Sequence, residues 1–195
     1  MADVRKIAEE QQARAWDVVR DTRVREAWQS IGAEINLVGS LRTGLLVRNL
    51  DIDFHIYSDP MDITQSFRAV AVLAQNPRIR RITYANLLDA EDMCLEWHAS
   101  YEDPRGDTWQ IDMIHIARES RYAGYFERVA ERIIEVLTDE QRDAILSIKH
   151  AAPEGRKVMG VKVYMAVIRD GVKDYEQFVE WEKSHPEEGI FSWMP

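Results

Sequence analysis

The sequence predicts an α+β protein, with a mixed α/β unit over residues 1–117 and an all-helical unit over residues 118–195. Three observations predict it. Apolar residues shift from helical to alternating spacing near Glu34 and return to helical spacing after Ala117. Two alternating runs, 93–101 and Thr108–Ile116, flank the turn formers Glu102-Asp103-Pro104-Arg105-Gly106-Asp107, which is the pattern of a β-hairpin. After Ala117 the pattern stays helical to the end, broken at 151–155 around Pro153 and stopped near Gly171.

The elements follow in order. Val4, Ile7, Ala8, Trp16 and Val19 recur at helical spacing, so residues 3–21 form an amphipathic helix. Thr22 is the expected cap of a second helix that runs to Ser30 and stops at Gly32. Trp16 and Trp28 make this N-terminal pair a candidate homodimer interface. Residues Glu34–Val38 form a short strand that runs into Gly39-Ser40, and Asp51–Tyr57 alternates as a half-buried strand. Residues 62–75 form a helix closed by Asn76-Pro77, and 79–84 form a strand. After the hairpin, helices are expected over 122–137, from the Thr138 cap to His150, over 157–169 and over 174–183.

Composition bounds the function. The chain has 195 residues, 46% of them apolar, which is enough for a real core. Its formal charge of −9 opposes broad binding to duplex nucleic acid but leaves room for a local basic pocket. Cys94 is the single cysteine, so no intramolecular disulfide forms, which fits a reducing, cytoplasmic setting. No apolar run is long enough for a signal peptide or a membrane span.

The chemistry concentrates in Val38-Gly39-Ser40-Leu41-Arg42-Thr43-Gly44 and Asp51-Ile52-Asp53-Phe54. Glycine lets a backbone approach phosphate closely, and a serine hydroxyl adds a donor. A helix starting near Leu41 aims free N–H groups at the same anion. Asp51 and Asp53 are two apart on a strand, so both carboxylates leave one face. That pairing is unfavourable unless a cation sits between them, and magnesium favours such hard oxygen ligands.

This segment resembles the signature of the DNA polymerase β nucleotidyltransferase superfamily, in which an apolar residue, Gly-Ser and a second glycine lead into two aspartates on an apolar strand. Gly39, Ser40, Gly44, Asp51 and Asp53 all match it. Leu50 departs from the small or polar residue common before the first aspartate. The likeness is greatest to small bacterial members, the antibiotic nucleotidyltransferases among them. It implies a nucleotidyltransferase fold, a mixed sheet flanked by helices and followed by a C-terminal helical bundle. It implies a catalytic domain over 1–117 and a helical domain over 118–195. It also implies a third carboxylate on a later strand, for which Asp112 is the candidate and Glu96 the rival. Two magnesium ions on Asp51, Asp53 and Asp112 would then serve transfer of a nucleoside monophosphate from a triphosphate, ATP or another, to a hydroxyl acceptor.

Lys149, Arg156, Lys157 and Lys162 flank the Pro153 break as candidate phosphate contacts. Of these Lys157 and Lys162, together with Gly39, Ser40 and Arg42, form the expected nucleotide-binding set. The acidic composition favours a small, cationic acceptor over RNA. A regulatory nucleotide-binding module without catalysis, and a partner-binding, antitoxin-like protein, are the rival readings. His55 shares the strand face of Asp53, whereas His98 and His115 lack a zinc-ligand spacing. Trp181, Phe191 and Trp193 are expected to pack the C terminus.

Overall fold

The computed structural model describes residues 3–156, 158–186 and 193–195. In chain order the elements are α1 (Val4–Thr22), α2 (Val24–Gln29), β1 (Glu34–Val38), α3 (Gly39–Thr43), β2 (Asp51–Tyr57), α4 (Ile63–Leu73), β3 (Ile79–Leu87), β4 (Cys94–Glu102), β5 (Thr108–Ile116), α5 (Tyr125–Val136), α6 (Asp139–Ala151), α7 (Gly160–Ile168) and α8 (Tyr175–Lys183). The strands build one sheet in the order β1-β2-β5-β4-β3. It is mixed: β2 and β5 pair in parallel, and the other neighbours are antiparallel.

The two faces of the sheet differ in chemistry because strand side chains alternate. One face carries Ile35 and Leu37 of β1, Ile52 and Phe54 of β2, Ile111 and Met113 of β5, and Trp97 and Ala99 of β4. These residues pack with Val18, Val24 and Trp28 of the N-terminal helices and Ala69, Val70 and Leu73 of α4. A second core joins Leu45 and Val47 to α5, α6, α7 and α8, and Ala8 near the start of α1 belongs to it. The opposite sheet face carries Asp51, Asp53 and His55, flanked through the register by Gln110, Asp112 and Ile114.

Local chemistry sets the boundaries. Asp3, Asp62, Thr138 and Asp174 accept backbone N–H groups at the starts of their helices, and Thr138 with Gln141 forms a capping box. The expected cap at Thr22 is corrected. Thr22 is the last residue of α1, and its hydroxyl donates back to the Val18 carbonyl at 2.7 Å. The break falls instead at Arg23, in the left-handed region with φ 52°. β3 runs three residues past the expected end at Tyr84 because it pairs with β4 as far as Leu87 and Cys94. α5 begins at Tyr125 rather than at residue 122, after a turn that ends in Gly124 at φ 67°. α7 begins at Gly160, later than the expected 157. Lys157 and Phe191 lie outside the described residues.

The hairpin turn is held by one carboxylate. Asp103 accepts from the backbone N–H of Arg105 and Asp107, from the indole of Trp109 and from Arg14 of α1. Those donors outweigh its burial and hold its pKa at about 2. Trp28, a candidate interface residue, is instead 1% exposed, with its indole against Met113 and the ring of His115. It is a core residue and cannot present a docking surface. Trp16 is partly exposed beneath the guanidinium of Arg25.

His115 is fully enclosed, bonded at Nε2 to Ser58 at 2.8 Å, and burial pushes its pKa down to about 4. The unfolded chain therefore binds this proton first as pH falls from about 6.5. Stability contributed by the neutral ring is complete above that pH and is lost progressively toward pH 4. The loss is expected to reach roughly 3 kcal/mol. Denaturant titrations between pH 7 and pH 4 should show a steeper decline for the wild type than for His115→Phe. Parallel declines would refute this role.

Candidate active site

The site forms where β1 turns into α3. Gly39 takes φ +66°, and a Cβ built on it would lie 2.0 Å from Oδ2 of Asp53. Only glycine lets the Asp53 carboxylate lie against the turn. Gly44 closes the same short helix at φ 74°. The two glycines of the motif thus bracket α3, one for close approach and one for a left-handed end.

The register brings the carboxylates together. Asp53 on β2 is the direct neighbour of Asp112 on β5, and Asp51 is two residues before Asp53 on the same face. All three line one cavity of about 640 Å³ with Gly39, Ser40, Asn49, His55, Lys149 and Tyr164. Part of its wall is apolar, built from Phe126, Val129, Ala130 and Ile133 of α5 with Val158 and Met159. Such a mixed lining suits a nucleoside, with the phosphate end at the charged wall.

Asp112 is held from two sides. Its carboxylate accepts from Nε2 of Gln110 at 2.8 and 3.0 Å and lies 2.6 Å from Nδ1 of His98. Burial lowers the pKa of His98, but its bond to Asp112 and the charges of Asp112 and Glu96 outweigh this and raise it. Glu96 lies 3.6 Å from the other ring nitrogen of His98 and does not line the cavity. Between the two candidate carboxylates, Asp112 is therefore the one that faces the Asp51–Asp53 pair.

Lys149 is the cation that the fold brings to the turn. It is 5% exposed, and its ammonium donates to Ser40 Oγ at 2.9 Å, the Leu45 carbonyl at 2.6 Å and Tyr164 Oη at 3.4 Å. Ser40 Oγ also bonds Tyr164 Oη at 2.9 Å. Among the described residues no carboxylate lies within ion-pair distance of Lys149. A buried ammonium with neutral partners leaves uncompensated positive charge, which favours an anion beside it.

The other expected cations fall elsewhere. Lys162 is 2% exposed, and its ammonium donates to the His185 carbonyl at 3.1 Å. It is two residues from Tyr164 on α7, a spacing that points the two side chains apart. Arg42 is exposed, and neither it nor Lys162 lines the cavity. Arg156 bonds Tyr175 at 2.8 Å and pairs with Glu182. Sequence reading singled out Lys149 only as one of a cluster, and Tyr164 not at all. A signal was present: Lys149 follows Ile145 by four residues and so sits on the buried stripe of α6.

His55 is buried, with Nδ1 3.5 Å from Glu127 and its ring edge-on to Phe126. His98 and His115 leave opposite faces of the sheet, so they share no metal site. Asp92, Cys94 and Glu96 bring three potential ligand atoms within 4.8 Å of one another. Burial, Asp92 and Glu96 raise the Cys94 pKa. Among the described residues no helix is long and apolar enough to cross a membrane.

Residues 21–98 match the family model of the nucleotidyltransferase domain. This span includes Gly39, Ser40, Asp51 and Asp53 and ends before Asp112. No curated protein matches the chain. Among solved structures, that of the GLD-2/RNP-8 complex aligns at TM-score 0.57 with 12% identity, over 82% of this chain and 54% of that one. A cytoplasmic RNA terminal U-transferase aligns at 0.54 with 14% identity, over 85% and 50%. The polymerase core of TRAMP, an RNA surveillance complex, aligns at 0.52 with 18% identity, over 78% and 48%. The chain spans about half the length of these proteins, and at identities this low the likeness shows the fold alone.

Replacing Gly39 by alanine should drive the new Cβ into Asp53 and strain the left-handed turn. Gly39→Ala is expected to lose about 1–3 kcal/mol of stability. An unfolding midpoint unchanged from wild type would show that the Asp53–turn contact is not tight. With the turn, the paired aspartates and the sheet order in place, residues 21–98 match a nucleotidyltransferase domain, and the chain has the fold of the solved structures it aligns with.

Proposed function

We propose that the protein is a magnesium-dependent nucleotidyltransferase that moves a nucleoside monophosphate from a nucleoside triphosphate to a hydroxyl acceptor, releasing pyrophosphate. One observation carries the reading: Asp51, Asp53 and Asp112 share a cavity with the Gly39–Ser40 turn and the buried ammonium of Lys149. Three hard carboxylates on two neighbouring strands fit divalent magnesium, with phosphate oxygens and water completing its coordination. When bound, two such ions would neutralise the phosphates and lower the pKa of the acceptor hydroxyl.

The chain's own groups do the rest. The backbone at Gly39, the Ser40 hydroxyl and Lys149 hold the β- and γ-phosphates. The wall of Phe126, Val129 and Ile133 takes the nucleoside and excludes water from it. The acceptor oxygen forms a bond to the α-phosphorus as the bond from that phosphorus to the bridging oxygen breaks. The electron pair leaves on pyrophosphate, and the hydroxyl proton passes to Asp112. His98 and Gln110 act as positioning residues that fix the Asp112 carboxylate. Alignment and charge neutralisation supply most of the rate in such transfers. Lys157, outside the described residues, is a secondary candidate for phosphate contact, and a small molecule is the favoured acceptor class.

The reading is tested by thermal unfolding with Mg²⁺ and each ribonucleoside triphosphate in turn. At least one should raise the unfolding temperature of the wild type by several degrees at saturation. The shift should require Mg²⁺ and vanish in Asp51→Asn/Asp53→Asn. A well-folded wild type that responds to none of the four would contradict the proposal.

A further inference from the structure

Next to the nucleotide cavity lies a second one of about 670 Å³, on the same polar face of the sheet, and Asp51 lines both. The register shows how it is built. Asp51 neighbours Gln110, Gln110 neighbours Ser100, and Ser100 neighbours Arg81, a polar row across four strands. A parallel row runs from Asp53 through Asp112 and His98 to Thr83. Both rows lead from the aspartates to the open edge at β3.

Arg81 reaches this face through an irregularity in the sheet. The register of β3 shifts between Ile79 and Arg81, so that Ile79 opposes Tyr101 and Arg81 opposes Ser100. Regular alternation from Ile79 would turn Arg81 toward the core and Ile82 toward the polar face. The extra residue reverses this: Ile82 packs on the core, and Arg81 lines the cavity. Among the described residues Arg81 has no acidic partner within ion-pair distance, whereas its neighbour Arg80 pairs with Glu102. Apart from Asp51, no carboxylate lines the cavity; Thr83, Ser100 and Gln110 add neutral hydrogen-bonding groups.

We propose that this groove seats the hydroxyl acceptor and that the acceptor is a small molecule bearing one phosphate or carboxylate, gripped by Arg81. The inference rests on the nucleotidyltransferase reading and replaces the cationic acceptor expected from composition. Asp51 is committed to magnesium in that reading, so an ammonium group would find no carboxylate left for it and would meet Arg81. A guanidinium binds either anion through two parallel hydrogen bonds. The volume of about 670 Å³ lies within the range of small-molecule sites, and the overall charge of −9 disfavours a polyanion such as RNA.

The test is transfer of label from an α-³²P nucleoside triphosphate to matched hydroxyl compounds: neutral sugars, sugar phosphates, sugar acids, amino sugars and a short RNA. Wild type, Arg81→Ala and Arg81→Lys would be compared, with the Mg²⁺–nucleotide thermal shift measured on each. Sugar phosphates or sugar acids should be preferred by at least about tenfold in kcat/KM. Arg81→Ala should abolish the preference through KM, Arg81→Lys should restore part of it, and the nucleotide shift should persist in both. The two anionic sets distinguish phosphate from carboxylate. Preference for amino sugars, label on RNA alone, an unaltered preference in Arg81→Ala, or no labelled acceptor despite a nucleotide shift would each overturn the proposal. Absence of the nucleotide shift in wild type would instead fault the nucleotidyltransferase reading itself.

Discussion

The constraint on which the rest depends is electrostatic: three carboxylates leave one face of two adjacent strands. Neighbouring strands lie about 5 Å apart, a spacing at which two full charges repel by roughly 3 kcal/mol at an effective dielectric of 20. A sheet built only for stability would not place Asp53 beside Asp112 and add Asp51 on the same face. The repulsion is eased in part by His98 and Gln110, which donate to Asp112. A divalent cation relieves the remainder most directly. The chain thus gathers negative charge at the place where a metal ion would bring positive charge.

The surrounding architecture serves that placement. The apolar face of the sheet is buried beneath α1, α2 and α4, which fixes strand order and keeps the polar face pointing to the cavity. Gly39 brings the α3 turn against Asp53, and α6 delivers Lys149 from the other side. Burying an ammonium costs several kcal/mol unless its hydrogen bonds are replaced. Here three neutral oxygens, on Ser40, Leu45 and Tyr164, occupy its three donors. They hold the charge in place without cancelling it. The helices after β5 therefore contribute a wall and a cation, whereas the sheet contributes the carboxylates.

Much of this was legible in the sequence, for reasons that differ by element. β1, β2 and β5 have the expected bounds because each alternates polar and apolar residues over most of its length. The Gly39–Ser40 turn and the Asp51–Asp53 pair are local patterns, so short-range chemistry reveals them. What escaped depends on pairing between distant segments. Nothing local says that β5 lies beside β2, so Asp112 was named from the family resemblance, and its pairing with Asp53 came only with the sheet order. Lys149 looked like one lysine among several because charge clusters usually mark solvent, and only its place on the buried stripe of α6 sets it apart. Lys162 looked equivalent but turns to the His185 carbonyl. The bulge beside Arg81 is a two-strand property and leaves no trace in β3 alone. Thr22 resembled a cap because threonine favours both helix starts and back-bonding within a helix, and here the second won.

The central claim is that the three aspartates act together on a bound triphosphate, and Asp112→Asn tests it most directly. The substitution keeps size and shape but removes one negative charge and the proton acceptor. Pyrophosphate release under saturating Mg²⁺ and the triphosphate that wild type binds, with its acceptor, is the quantity to measure. A fall in kcat of at least about a hundredfold, with the folded state and nucleotide binding retained, is the expected result. An Asp112→Asn enzyme that turns over at the wild-type rate would contradict the assignment and move the search for the base to another group.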